Sequence, residues 1–196
     1  MKSETTTAVS TATEDTASSS PKTSKTIAKS NDRDPLNLFF LNALKDILWA
    51  EKALTEALPK MRTAATTEAL KDAFEDHELQ TRKHISRLEK IFSLLGQKAE
   101  AKKCDAMTGL IKEGEHVIES TPEGSMTRDA ALIIAAQKVE HYEIASYGGL
   151  IQLALTLDHE DVAEILERTL QEEEDTDNLL TDIAEGDINF EAGEEH

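Results

Sequence analysis

From Leu36 onward the apolar residues recur at helical spacing over segments so long that little except a bundle of helices can bury them. Leu41, Leu44, Ile47, Leu48, Leu54, Leu58 and Met61 share one face of a first helix, predicted from Leu36 to Ala64. Thr66 or Thr67 can cap a second helix, in which Leu70, Phe74, Thr81, Ile85, Leu88 and Phe92 share a face until Gly96 stops it. The connector that follows holds a short helix predicted from Asp105 to Glu119 and is broken by Pro122 and Gly124. A third long helix is predicted from Thr127 to Leu157, and Asp158 with Asp161 suggests the capped start of a fourth, ending near Glu185. No strand pattern competes: Gly and Pro are scarce, β-branched residues do not alternate with polar ones, and aromatic content is only 4%.

Two helical hairpins joined by one long crossover with a short extra helix give an all-α fold, the ferritin-like antiparallel four-helix bundle. An all-α bundle of different connectivity would show the same periodicity. Half of the first thirty residues are Ser or Thr, and almost none is large and apolar, so residues 1–34 are expected to form a disordered tail that cannot offset its ordering entropy. Residues 35–185 are the helical domain, and 186–196 are expected to form an acidic C-terminal tail.

Lys and Arg total 21 against 39 Asp and Glu, and the first thirty-five residues are charge-balanced, so the net charge of −18 falls on the helical part. Such a polyanion repels nucleic acid and anionic membrane and attracts cations. The apolar run from Ala130 to Ala136 is too short to cross a bilayer, and the first residues of the sequence lack the apolar core of a secretory signal, so a protein retained in the cell is expected. Cys104 is the only cysteine, which excludes an intramolecular disulfide and a cysteine-based zinc or iron–sulfur site and fits a reducing cytoplasm.

The apolar stripes are interrupted by ionisable residues. At roughly 100° per residue, Glu51 falls at the centre of the first helix's inner face. On the second, His77 falls between Phe74 and Thr81, with His84 nearer one edge and Glu78 nearer the other. Glu140 and Glu143 sit among Ala136, Val139 and Ile144 on the third, one turn before Tyr147, and Glu173 and Asp177 continue the inner face of the fourth. Folding each hairpin about its turn brings Glu51 opposite residue 79, Glu143 opposite Glu173, and Glu140 opposite residues 176 and 177. Buried ionisable groups at one level are costly unless paired, and a pair of divalent cations would pair them. Oxygen-rich sites with one or two imidazoles suit iron or manganese. The candidate ligands are therefore Glu51, His77, Glu140, Glu143, Glu173 and Asp177, with Tyr147 placed to hydrogen-bond a ligand carboxylate. His116, His141 and His159 read as surface or flanking residues.

Several blocks in order carry a resemblance: L-K-D-I-L-W-A-E-K-A-L at 44–54, A-L-P-K-M at 57–61, R-L-E-K-I-F at 87–92, K-K-C-D-A-M at 102–107 and A-A-Q-K-V-E-H-Y-E at 135–143. Over Leu36 to Glu185 the chain resembles the YciF-type ferritin-like stress proteins of bacteria. The resemblance implies a ferritin-like bundle, commonly a homodimer, with a di-metal centre and induction under stress. The ferritin-like ligand scheme expects one Glu from the first helix and one from the third, filled by Glu51 and by Glu140 or Glu143. It also expects a Glu-x-x-His pair on the second and fourth helices, and here the sequence departs: Phe74 precedes His77 at that spacing, and Thr176 follows Glu173. Glu78 and Asp177 can stand in.

Two functions follow. One is a di-iron or di-manganese protein that oxidises Fe(II) or consumes peroxide. The other is a non-catalytic bundle acting in stress as a dimer, with the same groups paired to each other. Iron storage or DNA protection in a shell has less support, because the balanced N-terminal arm lacks the basic excess that DNA binding wants.

Overall fold

A computed structural model describes residues 34–195, so the tail predicted over 1–34 lies outside the described residues apart from Asp34. Asp34 caps α1 (Pro35–Ala64) by accepting the Leu36 N–H at 3.2 Å. Pro35 opens the helix, where its missing N–H is one that no helical carbonyl would have received. Thr67 caps α2 (Glu68–Leu94). Gly96 ends it in the left-handed region at φ 65°, with its N–H bonded to Ser93 O at 3.1 Å and the Gln97 N–H to Phe92 O at 2.8 Å. That paired closure needs a residue indifferent to positive φ, which is why glycine stands there. α3 (Asp105–Ser120) lies in the crossover, followed by α4 (Met126–Thr156) and α5 (Glu160–Ile183).

α1 pairs with α2 and α4 with α5, while α1 packs on α4 and α2 on α5, and α3 lies against α1 and α4. The described residues contain helices and no strand, in the two-hairpin, long-crossover order of the ferritin-like bundle. Phe40, Leu44, Leu70, Phe92, Leu132 and Leu166 are among the side chains closing the core. Asp129, fully buried at the start of α4, accepts the N–H groups of Thr66 (2.7 Å) and Thr67 (2.8 Å) and the Thr67 hydroxyl (2.8 Å). This carboxylate fastens the α1–α2 turn to the second hairpin and so fixes the height of one hairpin against the other.

The fourth long helix differs from expectation at both ends. Asp158 does not cap it; the residue before α5 is His159, which makes no side-chain cap bond. Asp158 instead closes α4 at φ 60°, with its N–H bonded to Leu155 O at 3.2 Å and the His159 N–H to Ala154 O at 2.9 Å. A left-handed non-glycine residue costs about 1–2 kcal/mol, and glycine's extra entropy loss returns about half of that. Asp158→Gly is therefore expected to stabilise the fold by roughly 0.5 kcal/mol, a rise of about 1–2 °C in melting temperature for a chain of this size, read by circular dichroism.

The far end, expected as an acidic tail over 186–196, stays helical as far as Glu194. One wider π-type turn spans Ala184–Ile188, and α6 spans Asn189–Glu194. Two interactions hold it. Ile188 is buried, extending the stripe of Leu180 and Ala184. The Glu195 carboxylate accepts the N–H groups of Met126 (2.7 Å) and Thr127 (3.0 Å) and the Thr127 hydroxyl (2.7 Å), at the positive end of α4. The Thr127 hydroxyl and these backbone donors hold the Glu195 carboxyl below the usual range. Acidity that reads as a tail in the sequence serves here as a helix cap.

Candidate metal centre

Each long helix brings at least one ionisable side chain to the interior at mid-height: Glu51 from α1, His77 and His84 from α2, Glu140 and Glu143 from α4, and Glu173 from α5. None is more than 2% exposed. They fall into two groups, His77 with Glu140, Glu143 and Glu173, and His84 with Glu51 and Glu173, each with its donor atoms within 4.8 Å of one another. Glu173 belongs to both. Its Oε1 lies 3.1 Å from His84 Nδ1, and its Oε2 lies 4.0 Å from His77 Nδ1. His84 Nδ1 is also 3.5 Å from Glu51 Oε1, and His77 Nε2 is 3.3 Å from Glu140 Oε1. One carboxylate therefore faces two imidazoles with its two oxygens, as a bridge between two ions would.

Burial pushes the carboxyls of Glu51, Glu140 and Glu143 up from the ordinary carboxylate range, and the neighbouring Glu173 adds to the rise in each. Burial likewise pulls the His77 imidazole down. His84 goes the other way: burial alone would lower it, but Glu173 and Glu51 beside it outweigh that and push it up to about 10. Of the ten buried side-chain nitrogen and oxygen atoms without a hydrogen-bond partner among the described residues, nine belong to these six side chains. Orphaned buried polar atoms are rare in folded proteins, and nine in one place call for a cationic guest. Four carboxylates and two imidazoles form a donor set suited to iron or manganese, so the residues fit a pair of divalent ions.

Groups outside this ring hold parts of it in place. The Tyr147 hydroxyl, fully buried, donates to Glu51 Oε1; burial first and the Glu51 charge second raise its pKa well above the usual phenol value. His84 Nε2–H donates to Glu172 Oε2 at 2.8 Å. Arg87 grips the same carboxylate through both guanidinium ends, 2.7 Å to each oxygen. That grip holds the Glu172 carboxyl at about 2.

Five of the six candidate ligands meet here; Asp177 does not. It is half-buried at the seam of α4 and α5, where its Oδ1 accepts from Gln137 at 3.2 Å and its Oδ2 lies 3.2 Å from His141 Nε2. Thr176 occupies the inner position instead. Glu78 likewise stays outside, paired with Arg82 at 2.6 Å. The residue that belongs with the candidate ligands and was absent from them is His84, and the signal for it is its spacing of seven from His77, which keeps two side chains on one helical stripe. The level was also set one turn short, because Glu51 meets His84 and not residue 79. Cys104 is apart from this chemistry: its buried sulfur caps α3 by accepting the Met107 N–H at 3.3 Å and lies 3.1 Å from the Tyr142 hydroxyl.

Protein YciF of Escherichia coli (strain K12) is 48% identical over 154 residues, covering 78% of this chain and 92% of that protein. The crystal structure of the E. coli stress protein YciF superposes with a TM-score of 0.75 at 46% identity, covering 79% of this chain and 97% of that one. YcfI of Rhodopseudomonas palustris follows at 0.74 and 39%, covering 78% and 96%. A family model described as a domain of unknown function, DUF892, matches residues 36–193, and this chain belongs to that family.

Proposed function

We propose that this protein serves in a stress response by holding two ions of iron or manganese between its long helices and using them to oxidise Fe(II) or consume peroxide. The carrying observation is the Glu173 carboxylate shared by two donor groups, nine of whose buried atoms have no hydrogen-bond partner. Such a metal pair, when bound, supplies electrons or takes them up in twos at an O–O bond. Glu173 would hold the two ions at one separation, His77 and His84 would each give an imidazole, and Glu51, Glu140 and Glu143 would balance charge. Tyr147 fixes one oxygen of Glu51 and leaves Oε2 free. The surrounding apolar residues, Leu54, Leu88, Ala136 and Leu150 among them, keep bulk water from the centre.

The charge of −18 favours cation uptake and disfavours nucleic acid. No helix among the described residues is long and apolar enough to cross a membrane. The reading takes the protein as a cytoplasmic homodimer, and light scattering in solution should give twice the mass of one chain.

The deciding experiment is anaerobic loading with Fe(II) or Mn(II), desalting, and elemental analysis. About two ions per chain are expected, followed by oxygen or peroxide consumption by the loaded protein. No retained metal would sink the proposal and leave the non-catalytic dimeric bundle.

A further inference from the structure

The geometry points to two unequal cation positions, with Arg87 and Glu172 acting as positioning residues that prebuild the one at His84 and leave the one at His77 exchangeable. This inference rests on the two-ion reading above.

The support for His84 comes from the helices that carry the ligands. A carboxylate only accepts, so the contact with Glu172 fixes an imidazole proton on Nε2 and turns Nδ1 toward Glu51 and Glu173. Glu172 cannot rotate freely, because Arg87 holds both of its oxygens and also donates to the Thr169 hydroxyl at 3.2 Å. On the opposite wall Tyr147 holds Glu51. Two of the three donors of this group are thus fastened from behind.

The other group has no such fastening. Neither nitrogen of His77, neither oxygen of Glu143 and not Oε2 of Glu140 has a hydrogen-bond partner. Gln80, one turn on from His77, bears on the imidazole, but its Oε1 also accepts from Thr176 at 3.2 Å, and among the described residues nothing grips Gln80 as Arg87 grips Glu172. Donors already oriented bind an ion without reorganisation, whereas loose ones must be ordered by the ion itself. The His84 position therefore fills first and keeps its ion. The His77 position fills second and releases it more readily, which makes it the place where a substrate Fe(II) would enter and leave.

Anaerobic titration of the metal-free full chain with Co(II), followed by visible absorption and calorimetry, reads both positions without any turnover. Two successive events separated by tenfold or more are expected in the native protein. Glu172→Ala should weaken the first by about 10–100-fold and leave the second in place. Glu172→Gln keeps an acceptor and should fall between the two. Arg87→Lys, which cannot grip both oxygens, should resemble Glu172→Ala more mildly, while Glu143→Gln should weaken the second event alone. Circular dichroism confirms that each variant is folded. Two indistinguishable events in the native protein, or equal weakening of both by Glu172→Ala and Arg87→Lys, would overturn the inference while the two-ion reading stands. Failure to bind any Co(II) would overturn both.

Discussion

Glu173→Ala is expected to empty both cation positions together, whereas Glu51→Ala and Glu143→Ala each remove one. Only Glu173 stands in both donor groups, with an oxygen facing each imidazole. On the two-ion reading its loss would subtract a negative ligand from each ion and also the one carboxylate common to both donor groups among the described residues. The affinity loss at each position should exceed the roughly 10–100-fold typical of removing a supporting residue. Glu173→Gln, nearly the same shape, guards against misreading a collapsed core, because it keeps the volume while removing the charge. Elemental analysis after loading should give about two ions for the native protein, close to none for either Glu173 variant, and about one for Glu51→Ala or Glu143→Ala. Retention of two ions by Glu173→Gln would break the bridging assignment.

The second large effect is one of opposite signs. Glu143→Leu should stabilise the metal-free protein and destabilise the protein measured in excess metal. Both Glu143 oxygens are buried without partners, so a leucine of similar size removes an unsatisfied polar group, worth about 1–3 kcal/mol, or roughly 2–12 °C in melting temperature. In excess metal, ions bound to the native fold alone stabilise it by about 4 kcal/mol at a free concentration a thousand times the dissociation constant, and the variant forfeits much of this. The pH dependence has a definite sign. Because burial raises the folded pKa of Glu143 above its ordinary value, the group's contribution to metal-free stability is fully present below the ordinary carboxylate pKa. It is lost as the pH rises through the folded value. Glu143→Leu should flatten that decline, which thermal melts across the range would record.

The helices were legible because long amphipathic stripes admit few alternatives, and their stops were legible where a single residue type is demanded, as at Gly96. What escaped depended on partners distant in sequence. Glu195 reads as tail acidity until the N-terminus of α4 is seen beside it. Asp158 reads as a helix start because aspartate favours caps, yet it closes the preceding helix in the left-handed region. At the centre, the inward phase of Glu51, His77, Glu140, Glu143 and Glu173 could be read from neighbouring apolar residues. Asp177 was misplaced because Gln137 and His141, on another helix, draw it to the seam. His84 reads as nearer an edge beside Thr81, Ile85 and Leu88, and only the seven-residue spacing shows it sharing the side of His77.

Both imidazoles ride on α2, two turns apart, and a helix is the stiffest rod a chain of this kind makes. The gap between the histidines is thus set by α2 itself and owes nothing to the path between the hairpins. Gly124, at φ 74° with open space around it, lies in the exposed stretch between α3 and α4. Extra residues spliced there would lengthen the route without stretching the ruler, so the crossover is the place to graft a tether or a reporter onto this protein while its centre keeps its spacing.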